Sequence, residues 1–166
     1  MIFPFNAGEV FKIAITIEDN GRLFYQKAAA KPFPEEIVSL FTHLTDEELA
    51  HKAFFQEILK SLPPSETGAT VWDPDNELDK YLKLMADQHV FNQAPEAINS
   101  LLDKVSTPAD AIRLAMGFEK DTIVFFLELQ AAAEKYDESR EAIGRLVTEE
   151  RRHMAHLAEM LQRITG

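Results

Sequence analysis

Residues 148–157, TEERRHMAHL, set Glu150 and His153 one helical turn apart on a row that is otherwise apolar. Ile143, Leu146, Leu157, Met160 and Ile164 continue the row in steps of three and four, the spacing that keeps side chains on one face of a helix. A carboxylate left alone on a buried face costs several kcal/mol, so this row requires a compensating proton or cation.

The pattern recurs upstream. Ile37, Phe41, Leu44, Glu48, His51, Phe55, Ile58 and Leu62 form a second row with Glu and His at the same central positions. A spacing of three leaves two side chains only about 60° apart around the helix, so each Glu and His can reach one ion. Two further rows carry one carboxylate each: Glu18 on the face of Phe11, Ala14, Ile15 and Tyr25, and Glu119 on that of Ile112, Ala115, Met116 and Phe126. Glu18 and Glu119 are 101 positions apart, while Glu48 and Glu150, and His51 and His153, are 102 apart. IEDNGRLFYQ at 17–26 thus faces FEKDTIVFFL at 118–127, an internal two-helix repeat. One Glu from each of two helices, with Glu-x-x-His from each of the other two, is the ligand set of a ferritin-like di-metal carboxylate bundle. A competing reading makes Thr45 and Glu48 a capping box at the start of a helix, against the unbroken row from Ile37.

The boundaries predict an all-α, ferritin-like four-helix bundle in a single domain over 1–166, with one long crossover. The first helix covers about 6–31, opened by Asn6 and Glu9 and stopped by Pro32 and Pro34. The second covers about 34–62 and ends at Pro63 and Pro64; the third covers about 108–135 after the cap Thr107 and Pro108; the fourth covers about 137–165 after Asp137. Residues 63–107 read as the crossover, with one shorter amphipathic piece near 78–90.

Composition narrows the function. The 166 residues are 46% hydrophobic and carry a net charge of −11, which suits cations and disfavours nucleic acid and anionic membrane as partners. With no Cys, thiolate metal sites, disulfides and thiol catalysis are excluded, so Glu, Asp or His must hold any metal. The start MIFPFNAGEV lacks a basic leader and no window is long and apolar enough for a membrane span, which predicts a cytoplasmic protein. His43, His89 and His156 lack a repeat partner and read as surface or crossover residues. Phe54, Phe55, Phe125 and Phe126 read as packing. Leu23, Phe24, Phe54, Val124 and Phe125 lie off the rows, an expected homodimer surface or a seat for the crossover.

With Glu18, Gly21 and Tyr25 in IEDNGRLFY, and Glu47 and Glu149 just before each motif Glu, the chain resembles the di-iron domain of the rubrerythrin family. The resemblance covers the four helices. It implies two iron ions held by Glu18, Glu48, His51, Glu119, Glu150 and His153, although Mn(II) accepts the same ligands. Glu48 and Glu150 are the expected bridging carboxylates, with Glu18 and Glu119 terminal. Glu47 and Glu149 are placed to receive the outer imidazole N–H groups or to remain exposed acids. The family implies reduction of hydrogen peroxide, with ferroxidase chemistry as a side activity; reduction of oxygen is open as well. Tyr25, on the row of Glu18, reads either as core packing or as a candidate catalytic residue whose hydroxyl orients the oxygen to be protonated. Two departures stand out. The cysteines of a rubredoxin domain are missing, so electrons must come from a separate rubredoxin-type donor, and Thr122 stands where the family tends to place a further Glu. An iron-handling ferroxidase is the alternative, and a helical interaction protein with a vestigial site is a third reading.

Overall fold

The apolar row from Ile37 to Leu62 predicts one continuous helix, and the computed structural model of the chain has it. The structure describes residues 7–62, 77–88, 95–132 and 137–166. Among them are the helices α1 (Ala7–Ala29), α2 (Glu35–Ser61), α3 (Glu77–Gln88), α4 (Pro95–Asp103), α5 (Pro108–Ala132) and α6 (Asp137–Thr165), and no strand. Thr45 donates to the carbonyl of Phe41 at 2.8 Å in the middle of α2, so it caps nothing and the capping-box reading of Glu48 falls. Pro32 and Pro34 cannot donate to a helical ladder, and the chain reverses over them into α2, where the carbonyl of Pro34 accepts from Ile37 at 2.9 Å. Thr107 caps α5 as expected: its hydroxyl oxygen accepts from the amide of Asp110 at 3.1 Å. The cap expected at Asn6, and residues 133–135 of the third predicted helix, lie outside the described residues.

Residues 63–107 contain a second helix that the sequence reading omits. Pro95 opens α4, and Ile98 and Leu102, one turn apart, bury its single apolar stripe. α4 lies against α1, where Lys27 hydrogen-bonds to Asn99, and α3 lies against α5. His89 is outside the described residues, whereas His43 and His156 are exposed, as read.

The hairpins α1–α2 and α5–α6 form the bundle, each helix lying antiparallel along its hairpin partner. Because the helices run in opposite directions, Phe11 meets Phe55 at one level, with ring centroids 6.0 Å apart, while Tyr25 meets Phe41 at another, 5.8 Å apart. Phe126 joins the first level, 5.1 Å from Phe55. Between these aromatic levels lie Glu18, Glu48 and His51. Of the residues read off the rows, Phe24 and Phe125 are buried within the chain, Leu23 and Phe54 are half-buried, and Val124 is exposed. No helix among the described residues is long and apolar enough to cross a membrane.

Candidate metal centre

Four helices each contribute to one charged layer. Glu18 from α1, Glu48 and His51 from α2, Glu119 from α5, and Glu150 and His153 from α6 are all at most 4% exposed. They fall into two overlapping groups, Glu18, Glu48, His51 and Glu150, and Glu48, Glu119, Glu150 and His153, each with its ligand atoms within 4.8 Å of one another. Glu48 and Glu150 belong to both groups, which places them between the two positions. All six residues singled out from the rows are therefore brought together.

Glu150 sits between the imidazoles. Its Oε1 lies 2.8 Å from His51 Nδ1 and its Oε2 lies 3.0 Å from His153 Nδ1. The two rings stack with centroids 5.4 Å apart. Glu18 Oε2 is 3.6 Å from His51 Nδ1, and Glu48 Oε1 and Glu119 Oε1 are 3.4 and 3.7 Å from His153 Nδ1. Yet both oxygens of Glu18 and of Glu150, and Nδ1 of both histidines, are buried without an aligned hydrogen bond. Buried polar atoms are nearly always satisfied, so lone pairs that converge without pairing to each other could hold a cation. Carboxylate oxygen and imidazole nitrogen suit Fe(II) and Mn(II), and four carboxylates balance two divalent charges.

Each outward ring nitrogen faces a carboxylate of the opposite helix. His51 Nε2 lies 2.9 Å from Glu149 Oε2, and His153 Nε2 lies 2.9 Å from Glu47 Oε2. Each acid preceding a motif Glu thus serves the histidine of the other motif. At His51 that hydrogen bond fixes which nitrogen keeps the proton and leaves Nδ1 free to face inward, whereas His153 Nε2 has Glu47 beside it but out of line for a hydrogen bond. Tyr25 donates its hydroxyl to Glu119 Oε1, an oxygen of the second hairpin, rather than to Glu18 beside it on α1. Phe126, at the repeat-related position, has no hydroxyl to offer Glu18. Thr122 is buried at 4% exposure on α5, one turn beyond Glu119.

Without metal, protons must carry the compensation. Burial pushes Glu18, Glu48 and Glu119 above the usual carboxylate range, and the charge of Glu150 adds to it. Burial acts the same way on Glu150, but the flanking imidazoles outweigh it and hold that carboxyl well below the usual range. Burial lowers His51, yet Glu150 and Glu18 overcome it and push the imidazole up to about 12. His153 is raised in the same way by Glu119, Glu150 and Glu48. Burial, then the charge of Glu119, keeps the proton on Tyr25.

The sequence matches a family described as a ferritin-like domain over residues 6–163. The chain belongs to the ferritin-like family. Comparisons with curated proteins and with solved structures give no match. In this ferritin-like chain the buried Glu and His cluster is compatible with di-iron binding. The signals that sequence reasoning missed are the pairing across helices, Glu47 to His153 and Glu149 to His51, and, within α2, that His43 stands beside Glu47, with Nε2 3.2 Å from Oε2. A spacing of four between His43 and Glu47 was the available hint.

Proposed function

We propose that the chain is a rubrerythrin-like di-iron oxidoreductase that reduces hydrogen peroxide or oxygen with electrons from a separate donor protein. The observation that carries the proposal is the layer of convergent, buried Glu and His atoms that lack aligned partners. Glu18, Glu48, His51, Glu119, Glu150 and His153 would hold two iron ions, with Glu48 and Glu150 shared. Two ferrous ions bound there would supply the two electrons that peroxide takes up. The chain's own groups handle protons and water. Tyr25, kept protonated by burial, holds a hydroxyl proton against Glu119 Oε1, from which it can be aimed at an incoming oxygen atom. The levels of Phe11, Phe55 and Phe126 on one side and Tyr25 and Phe41 on the other keep bulk water from the layer. Glu149 fixes the His51 ring through its hydrogen bond, and Glu47 stands beside the His153 ring.

An iron-handling ferroxidase is the second reading, and Thr122 is the observation that favours it. A buried threonine in place of a further carboxylate leaves six repeat-related ligands and no spare one for exchange between redox states. The test is anaerobic reconstitution with Fe(II), metal analysis, and then steady-state peroxide consumption with a supplied reductant. Two iron equivalents and sustained turnover support the peroxidase. Two equivalents oxidised once, with accumulation of ferric product, favour the ferroxidase. A saturated content of one equivalent or none overturns both.

A further inference from the structure

The two outer carboxylates are not copies of each other. Glu149 receives one aligned hydrogen bond from His51 Nε2. Glu47 Oε2 is shared: it lies 2.9 Å from His153 Nε2 and 3.2 Å from Nε2 of the exposed His43. The contact with His153 is out of line for a hydrogen bond, so the buried Nε2 of His153, a residue 1% exposed, points at Glu47 without an aligned partner. The repeat sharpens the contrast. The 102-residue offset that relates Glu47 to Glu149 relates His43 to Arg145, Leu49 to Arg151 and Ala50 to Arg152. Arg145 and Arg152 line a surface cavity together with Glu149. A guanidinium has no lone pair and repels cations, whereas a neutral imidazole offers one to a metal.

We propose that His43 and Glu47 form the capture point through which divalent cations are admitted to the centre, so that loading proceeds past α2 and not past α6. The proposal rests on the di-metal reading of the buried layer. A cation held by His43 Nε2 and the Glu47 carboxylate stands one imidazole away from the buried ligands, because His153 faces Glu47 with Nε2 and Glu48 with Nδ1. Releasing His43 lets Glu47 turn fully to His153, the aligned arrangement already present at Glu149 and His51. On the α6 side, Arg145 and Arg152 line the cavity at Glu149 and oppose the same approach, with Arg145 in part offset by Glu141 at 3.4 Å.

The test is stopped-flow mixing of the full-length apo-protein with Co(II) at pH 8, following the ligand-field absorbance of the bound ion, with equilibrium titration alongside. His43→Ala is expected to take up Co(II) more slowly, on the order of tenfold, and still to saturate at two equivalents. The substitution removes no negative charge, so slower uptake cannot come from a weaker attractive field. Arg145→Ala is expected to load no more slowly than the parent. Parental uptake by His43→Ala overturns the capture point and leaves the di-metal reading standing. Slower uptake with fewer than two equivalents also overturns it, since His43 would then help to hold the ions. A parent chain that never binds two Co(II) overturns both.

Discussion

Tyr25 and Phe126 show how far one atom can separate two halves of a repeat. Both rings are fully buried, yet only Tyr25 brings a hydroxyl to the charged layer, and that hydroxyl goes to Glu119. Tyr25→Phe is expected to keep the fold and two bound metals but to slow single-turnover oxidation of the di-ferrous protein by peroxide by about tenfold or more, measured by stopped-flow absorbance. An unchanged rate returns Tyr25 to packing. Glu149→Gln preserves shape but weakens the grip on the His51 ring; metal affinity in a chelator competition is expected to drop by about 10–100-fold, and equal affinity would deny Glu149 that role. At this scale the six clustered residues were legible, because Glu and His on an apolar row contradict their surroundings. Which outer acid serves which histidine was not, since that depends on how α2 crosses α6 and no local spacing encodes it.

At the scale of elements, the long helices declare themselves through prolines, the Thr107 cap and rows of many turns. α4 does not, because nine residues display only Ile98 and Leu102 as a buried pair, too little to separate from chance. The glycines inside α5 and α6 provide a paired test of helix energetics. A Cβ added to Gly117 meets nothing within 4 Å, so Gly117→Ala is expected to raise the unfolding free energy in urea by about 0.5–1 kcal/mol through helix propensity. At Gly144 the added Cβ would lie 2.4 Å from Gln130 Nε2, which itself donates to the carbonyl of Arg140 at 3.2 Å. Gln130 must shift and give up that bond, so Gly144→Ala is expected to gain less than Gly117→Ala. Equal gains would mean that the Gln130 contact contributes nothing.

For the whole molecule, stability and metal are linked through protons. Glu18, Glu48 and Glu119 are raised from 4.5, so the folded apo-protein keeps protons that the unfolded chain releases, and stability falls as pH climbs through that interval. The same sign holds for His51 between 6.5 and about 12. Glu150 is lowered, so its contribution is present above 4.5 and is lost as pH falls. The apo-protein is therefore expected to melt at a lower temperature at pH 8 than at pH 6. Bound divalent ions take the place of those protons, so the rise in melting temperature on adding Mn(II) or Co(II) should be larger at pH 8 than at pH 6. Calorimetry at both pH values checks this, and a metal-induced rise that is equal at both, or larger at pH 6, contradicts it.

The repeat also bears on how such a protein can change over generations. Were the bundle an association of two identical hairpins, any substitution would strike both halves of the charged layer at once, and a change useful in one would be imposed on the other. Joining the hairpins in one chain lifts that constraint. Tyr25 opposite Phe126, and His43 opposite Arg145, are differences that a pair of identical hairpins could not have inherited separately.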